Sequence, residues 1–571
     1  MTTTSRHYTG KDGQDRLYQT VLLRRSYRQD GKVRNETLAN LSHLPAPAID
    51  AIRSVLDGKA LIEAGAGVQV TRSLGHGHAA AVHAVARQLG FPAILGPACP
   101  ERDLAYALIL SRVIRPASKL ATLAWWDDIT LGPDLAVAGA STDDAYAAMD
   151  WLRGRQDMIE TGLARRHLAD GAVALFDLSS SWMEGSHCSL AARGYSRDGK
   201  RGKPQIEYGL LTDRAGRPVA IRVFAGSTAD PTAFIEAVRT VREDFGLAKL
   251  VMVGDRGMIT SARITALKDD TKMGWVTALR GPAIKKLAAG GGPLQMSLFD
   301  DQDLAEITSP GYPGERLIAC RNPFLAAERT RKRQALLAAT EAELAKVAAQ
   351  VTAGKLRDPD KIGLRAGRVV NKYKVAKHLT LDIGDGTLTW ARDQERIDAE
   401  AALDGIYIIR TSVPASEMDA PGAVTAYKSL AQVERDFRSI KADDLDLRPV
   451  FHRLDERVRA HVLICMLACY LSWHLRQAWA PLTFTDERPP ARRNPAAPAR
   501  RSAAAGRKAS RRAGDDGQPL HSYQGLLAHL ATLTRNTIRA GTATFDQISS
   551  PTPTQRQAFE LLGAPIPLTL Q

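Results

Sequence analysis

Cysteine is scarce in this sequence. Among its 571 residues there are five cysteines, no two of which form a Cys-x-x-Cys pair: Cys99, Cys188, Cys320, Cys465 and Cys469. A scattered, odd number of cysteines argues against a disulfide framework, and the lack of paired spacing argues against a zinc site. We expect Cys465 and Cys469, which lie in an apolar helical stretch, to be core residues.

Long hydrophobic runs are also lacking. No run approaches the ~20 apolar residues that span a bilayer. The polar start MTTTSRHYTGKDGQD does not have the pattern of a signal peptide. We therefore expect a cytoplasmic protein with no membrane partner.

Acidic residues are fewer than basic ones. The 77 Lys and Arg exceed the 62 Asp and Glu, which gives a net charge of +15. This excess favours a polyanionic partner and places nucleic acid ahead of a membrane surface. The length and the 44% apolar content are sufficient for the cores of two to four domains.

The first 165 residues divide into two predicted regions. Residues 1–60 form a basic β-hairpin region, because residues 16–43 alternate apolar and polar on both sides of Asp30-Gly31, a pair typical of a primed turn. The outward residues are largely basic, and a solvated strand face and a DNA contact are both open interpretations. Apolar residues at three- and four-residue spacing predict a helical DNA-binding domain over 61–165.

The rest of the chain predicts an α/β catalytic core followed by basic and helical segments. Apolar runs such as AVALFDLSSSW and KLVMVGDRGM indicate a mixed sheet over 166–265. The core resumes over 415–480, after an insertion domain at 266–414. A tract rich in Arg, Ala and Pro predicts a flexible basic linker over 485–517, and residues 518–571 are predicted to be a helical tail.

Two carboxylates follow apolar strands in the predicted core. Asp177 and Asp255 emerge at the carboxyl edge of the sheet, where α/β proteins bind ligands. Taken singly, each of them is better explained as a cap on the following helix. As neighbours they repel one another unless a cation lies between them, and their oxygen atoms suit Mg²⁺ or Mn²⁺.

A third carboxylate lies on a later helix. In VTAYKSLAQVERDFRSIK, the residues Tyr427, Glu434 and Lys441 are seven positions apart, hence within about 40° of one helical face. A single helical Glu is usually only solvated. Its alignment with a phenol and an ammonium group indicates a site.

These motifs carry a family resemblance. The order strand-Asp, strand-Asp, insertion, helix-Glu resembles the DDE transposases of bacterial insertion sequences, which implies an RNase H-like catalytic fold. The spacing Tyr427-x2-Leu430-x3-Glu434-x6-Lys441 is similar to the Y-x2-R-x3-E-x6-K signature of one branch. Stretches such as FDLSSSWMEG, RGYSRDGKRGKPQIEYGLLTD, VFAGSTADPTAF and MVGDRGMITSAR extend the resemblance over most of the chain.

One position departs from the signature, because Leu430 stands where its arginine is expected. Either the charge comes from Arg435, Arg438 or Lys428, or Leu430 is a variation within a subgroup.

The resemblance implies an enzyme that cleaves the ends of its insertion sequence and transfers the strands into target DNA. Asp177 would bridge two Mg²⁺ or Mn²⁺ ions, with Asp255 and Glu434 each holding one of them. The implied partners are the terminal inverted repeats and the target DNA, bound by a homodimer in the synaptic complex. The implied location is the bacterial cytoplasm, at the nucleoid.

The DNA contacts are assigned to groups around these carboxylates. Tyr427 and Lys441 would grip the backbone near the scissile phosphate. The basic loop, residues 193–203, follows the first catalytic strand and would bind DNA beside the metal ions, although a solvated basic turn explains it nearly as well. The loop and helix residues in this assignment are Arg193, Arg197, Lys200, Arg201, Lys203 and Arg438.

Two alternative functions share these features. An RNase H-like nuclease or resolvase would use the same triad without strand transfer. A catalytically idle, transposase-derived DNA-binding protein would retain the carboxylates as relics.

Overall fold

The computed structural model of the protein describes residues 1–9, 11, 14–59, 67–185, 187–247, 249–257, 259, 273–491 and 494–570. Its strands are β1 (Thr2–Thr9), β2 (Asp15–Gln29), β3 (Lys32–Asn40), β4 (Val68–Gly75), β5 (Val173–Trp182), β6 (Gln205–Asp213), β7 (Pro218–Ala225), β8 (Val251–Gly254), β9 (Gly274–Ala278), β10 (Leu304–Ile307), β11 (Arg316–Arg321), β12 (Leu379–Gly384), β13 (Thr387–Arg392), β14 (Ile406–Thr411), β15 (Thr534–Ala540) and β16 (Ala543–Ile548).

Its α-helices are α1 (Ala46–Leu56), α2 (Gly77–Gln88), α3 (Phe91–Leu95), α4 (Pro100–Ile114), α5 (Lys119–Trp125), α6 (Leu131–Asp134), α7 (Thr142–Arg153), α8 (Gln156–His167), α9 (Asp230–Arg239), α10 (Gly281–Ala288), α11 (Pro323–Thr352), α12 (Pro359–Lys372), α13 (Gln394–Ala401), α14 (Ala420–Lys428), α15 (Leu430–Arg438), α16 (Asp455–Ala478), α17 (Ala503–Arg511), α18 (Tyr523–Ala531) and α19 (Pro553–Leu561).

The chain divides into two compact units, residues 1–74 with 534–550 and residues 75–533 with 551–571. In the first unit, β2 and β3 form the predicted hairpin. Asp30 and Gly31 both have positive φ, 50° and 74°, as a primed turn requires. The strand β1, which sequence analysis did not predict, pairs with β2 to make a three-stranded sheet.

The predicted helical tail is wrong over part of its length. Residues of β15 and β16 form an antiparallel hairpin, and β15 also pairs with β4 in a second three-stranded sheet. The hairpin turns at Gly541, where φ is +60°. Its strand partner β4 lies more than 400 residues earlier in the chain, so local sequence carries little signal for this pairing.

The second unit is built on a mixed sheet, which bears out the predicted α/β class. Among the described residues its order is β10-β11-β14-β9-β8-β5-β6-β7. The strands β5, β6 and β7 are antiparallel, whereas β5, β8 and β9 are parallel. Helices α9 and α15 pack against β5, and α16 packs against β7.

The predicted insertion is not separate from this sheet. The strands β14, β11 and β10 extend it beyond β9, since β14 pairs with β9 and with β11. The part with a core of its own comprises α11, α12, the β12–β13 hairpin and α13, around buried residues such as Leu337, Leu344 and Ile362.

The helix α16 is the central helix of the second unit. It is long and apolar enough to cross a membrane, contrary to the expectation that no such run exists, but 83% of its apolar window is buried inside the protein. It packs against α2, α4 and α7. The helices of residues 77–167 therefore share a core with the catalytic sheet instead of forming a domain apart, and their role in binding DNA stays a prediction.

The basic tract predicted as a flexible linker is partly helical. Helix α17 begins after Ser502, whose side chain caps the helix and donates a hydrogen bond to Asp486 at 2.7 Å. Lys428 Nζ donates to the carbonyl oxygens of Pro495 and Ala496. Alanine and arginine favour helix once a cap is present, which the overall composition obscures.

Gly226 fixes the base of the basic loop against the sheet. A Cβ atom at this position would lie 2.0 Å from the Gln205 carbonyl oxygen and 2.5 Å from that of Ala192.

We expect Gly226→Ala to lower stability by about 1–3 kcal/mol through overpacking, measured as a lower thermal midpoint. Gly367→Ala in α12 is the matched control: the space around Gly367 is open, so the same change should raise stability by about 0.5–1 kcal/mol. Equal midpoints for the two variants would contradict this packing.

Candidate active site

Strand register places the first two carboxylates side by side. Phe176 of β5 is paired with Gly254 of β8 in parallel register. Asp177 and Asp255 are the next residues along these neighbouring strands, so both lie where β8 ends. The strand β5 continues to Trp182 along β6, so Asp177 lies within its strand and not at the predicted strand end.

The effect of the Glu434 charge on the pKa of Asp177 shows that Glu434 lies near the same two carboxylates. Burial, together with the negative charges of Asp255 and Glu434, raises the pKa of Asp177 to about 7. The backbone N–H of Leu178 donates to Asp177 Oδ1 at 2.8 Å and opposes this shift. The structure thus brings together three carboxylates that repel one another.

Tyr427 also reaches this cluster. Its hydroxyl donates to Asp255 Oδ1 at 3.5 Å, and burial raises its pKa. The single helix predicted to carry Tyr427 and Glu434 is two helices, because α14 ends at Lys428 and α15 begins at Leu430. Ser429 between them keeps helical angles, φ −66° and ψ −16°, so Tyr427 and Glu434 still face one cluster.

Lys441 lies beyond the regular α-helix that the seven-residue spacing assumes. It belongs to a π-helical turn, Ser439–Asp443, whose wider turn changes the phase of the helix. Its buried ammonium group pairs with Asp198 at 2.9 Å, and Arg448 pairs with the same carboxylate oxygen at 2.5 Å. In this structure Lys441 fastens the basic loop to the core.

The other predicted DNA contacts fall into two groups. Four side chains belong to exposed residues: Arg193, Lys200, Arg201 and Arg438. Two are engaged in ion pairs, Arg197 with Glu207 at 3.2 Å and Lys203 with Glu184 at 3.0 Å. The charge of Arg197 also lowers the pKa of Asp177, which places it near the carboxylates.

The carboxylate cluster has the chemistry of a divalent-cation site. Within the described part of the chain, no group of three or more His, Cys, Asp or Glu side chains is close enough to hold a metal ion as it stands. The donor atoms of Asp177, Asp255 and Glu434 are all oxygen, as Mg²⁺ and Mn²⁺ prefer. Their mutual repulsion is the interaction that a cation would relieve, so the residues present fit such an ion.

Comparison with known families decides the identity. A family model described as "Transposase DDE domain" matches residues 179–471, just over half of the chain, and "IS1634 family transposase, N-terminal domain" matches residues 8–66. The chain belongs to the DDE transposases of insertion sequences. It is a DNA transposase, of the polynucleotidyl transferase class, and binds DNA as the family does.

Other comparisons add little to this assignment of the transposase. No curated protein matches the chain. A cryo-EM structure of the piggyBac transposase synaptic complex with hairpin DNA is similar with a TM-score of 0.33 and 10% identity, over 75% of this chain and 70% of that chain. A TM-score at this level bears on neither fold nor mechanism.

The position of the missing signature arginine faces the core of the transposase. Leu430 is buried, with 8% of its surface exposed. Among the three predicted substitutes, Lys428 is bound to carbonyl oxygens, while Arg435 and Arg438 are exposed. Sequence analysis did not consider Arg256, whose charge lowers the pKa of Tyr427. Its only signal in the sequence is that it follows Asp255.

Asp198 is the common counter-ion of Lys441 and Arg448 in the transposase, with 2% of its side chain exposed. Asp198→Asn would leave two cations without their carboxylate, and we expect a loss of about 3–5 kcal/mol of stability. Glu184→Gln is the matched control, since it breaks the exposed pair with Lys203 and should cost at most about 1 kcal/mol. Thermal unfolding of both variants tests the contrast. A loss from Asp198→Asn no larger than that from Glu184→Gln would contradict the role of Asp198.

Proposed function

We propose that Asp177, Asp255 and Glu434 are the catalytic carboxylates of this transposase. The observation that carries the proposal is the adjacent register of Asp177 and Asp255, with the charge of Glu434 acting on Asp177. We also propose that the core is RNase H-like. The antiparallel strands β7, β6 and β5, followed by the parallel strands β8 and β9, support this.

The proposed cofactor is a pair of Mg²⁺ or Mn²⁺ ions, which Asp177, Asp255 and Glu434 would hold. When bound, such ions lower the pKa of an attacking hydroxyl group and stabilise the leaving oxygen of a phosphodiester. Tyr427 orients Asp255 through its hydrogen bond. Asp177 is half-buried, whereas Asp255 and Glu434 are exposed to solvent.

The cations around the cluster are suited to a DNA strand. Arg197 and Arg256 act electrostatically on Asp177 and Tyr427, so they lie within reach of a phosphate at the carboxylates. Arg193, Lys200 and Arg201 extend positive charge outward along the loop. Contacts of this kind hold the backbone in position without reading sequence.

The reaction we propose is cleavage at the terminal inverted repeats of the element, followed by transfer of the 3′-hydroxyl groups into target DNA. Two ends are joined in one synaptic complex, for which we propose a homodimer acting in the bacterial cytoplasm at the nucleoid. A nuclease or resolvase would share the carboxylates but would yield no strand-transfer product. An idle DNA-binding derivative would yield neither product.

Neutralising any one carboxylate should abolish cleavage. We expect Asp177→Asn, Asp255→Asn and Glu434→Gln to lose Mg²⁺-dependent cleavage of end DNA, by at least about 10²–10³-fold in rate, the range seen when one preorganised electrostatic group is removed from an active site. Binding of end DNA should stay close to wild type, because the phosphate contacts are made by other residues. Gel assays of cleavage and binding measure both quantities.

The control is Asp157→Asn, the same change at a side chain that is 80% exposed, which should cleave at the wild-type rate. A variant of the triad that cleaves as fast as this control would remove that residue from the site.

A further inference from the structure

A cavity of about 740 Å³ lies between the α4–α5 segment and the chain from 446 to 461. Its wall is rich in basic groups and includes the single carboxylate Asp446. The basic residues that line it are Arg112, Lys119, Arg448, Arg453, Arg457, His452 and His461.

The inner cations of this cavity are buried. Arg112, Lys119 and His461 are each 6% exposed. Lys119 Nζ lies 3.0 Å from His461 Nδ1, and Arg112 donates to the carbonyl oxygens of Leu445 at 3.4 Å and Ala117 at 3.0 Å. Within the described ranges of the chain, neither Arg112 nor Lys119 forms an ion pair with a carboxylate.

Burial and mutual repulsion act on every group in this set. Burial, together with the charge of Arg112, lowers the pKa of Lys119 to about 7. Burial, Lys119 and Arg112 lower the pKa of His452 to about 3 and that of His461 well below its usual value. Buried cations without a counter-ion are strongly unfavourable. These shifts favour the neutral forms of Lys119, His452 and His461 while the cavity holds no anion, and a bound anion would favour their protonation.

One wall of the cavity is continuous with the proposed DNA track. Val450 N donates to the carbonyl oxygen of Trp182, the last residue of β5, at 3.1 Å. The Arg448 guanidinium lies 5.3 Å from the centre of the Trp182 ring, and Lys200 Nζ lies 5.3 Å from the same centre. A polyanion bound to the exposed cations of the basic loop would therefore extend to the cavity.

We propose that this cavity binds a phosphate group, supplied by the backbone of a DNA strand that passes the catalytic carboxylates. Convergent arginine, lysine and histidine donors suit the several oxygen atoms of a phosphate better than a single carboxylate. The choice of DNA as the source rests on the proposed function. The proposal that the cavity binds a phosphate group does not depend on the proposed function.

The first test measures thermal unfolding with inorganic phosphate, against chloride at equal ionic strength. Phosphate should raise the melting temperature of the wild type, because a ligand that binds the folded state stabilises it. Lys119→Met should lose most of this shift. Lys361→Met, the same change at a lysine of α12 that is 74% exposed, should keep it.

The melting temperature in the absence of phosphate separates the phosphate site from a purely structural role of Lys119. A purely structural role predicts that Lys119→Met melts below the wild type. Removing a buried cation that lacks a counter-ion should leave the melting temperature of Lys119→Met equal to or above that of the wild type. A lower melting temperature, with the phosphate shift intact, would overturn the site. Arg453→Gln, at an exposed residue of the same cavity, gives a second variant that does not depend on the buried cluster for folding, and it should reduce the phosphate shift.

The second test identifies the source of the phosphate. Fluorescence anisotropy with a duplex across a salt series should show the slope of log affinity against log salt falling by about one unit in Lys119→Met and unchanged in Lys361→Met. An unchanged slope together with a lost phosphate shift would overturn the assignment to DNA and indicate a free phosphate. The absence of any phosphate shift in the wild type would overturn the site itself. Neither readout uses cleavage, so a failure of the proposed catalytic function is seen separately.

Discussion

The repulsion between carboxylates on adjacent parallel strands is the constraint on which the site depends. Parallel pairing of β5 with β8 leaves Asp177 and Asp255 at neighbouring positions, each directly after the paired residues Phe176 and Gly254. Glu434 adds a third negative charge from α15, which packs on β5. The fold holds these charges together by burying the sheet under α9, α15 and α16.

The surrounding structure supplies both buried and exposed positive charges. Asp198 holds Lys441 and Arg448 in a buried cluster that attaches the basic loop to the core. Beyond it, Arg193 and Lys200 remain exposed. In the cavity beside Trp182, Arg112 and Lys119 form no ion pair with a carboxylate among the described residues. Together, the exposed cations of the basic loop and the buried cations of the cavity fit a surface that binds a polyanion at several points.

Local patterns in the sequence were sufficient for the features that local chemistry determines. The Asp30-Gly31 turn predicted the hairpin, and the apolar runs before Asp177 and Asp255 predicted strands that carry carboxylates to one region. The mixed α/β class followed from the same runs, and membership of the DDE transposases followed from motifs spread along the chain.

Features that depend on distant pairing were not predictable in this way. The strand β14 pairs with β9, whose residues lie about 130 positions earlier, so the strands of the predicted insertion gave no sign that they extend the catalytic sheet. The π-helical turn at Ser439–Asp443, which contains Lys441, was not predicted either, because heptad spacing assumes a regular helix. The pairing of β15 with β4 was hidden for the same reason. The hairpin of β15 and β16 is a local pairing, and its β-branched residues on both sides of Gly541 were a signal that the prediction of a helical tail missed.

The central claim is that Asp177, Asp255 and Glu434 converge on one metal site, and localised oxidative cleavage tests it most directly. Fe²⁺ bound in place of Mg²⁺ reduces added hydrogen peroxide to hydroxide and a hydroxyl radical, while added ascorbate returns the resulting Fe³⁺ to Fe²⁺. The radicals cut the polypeptide close to the bound ion, and mass spectrometry locates the cuts. We predict cuts near residues 177, 255 and 434 in the same sample, all suppressed by excess Mg²⁺ and all lost in Asp177→Asn. Cuts confined to other parts of the chain, or cuts near these residues that persist in Asp177→Asn, would contradict the account.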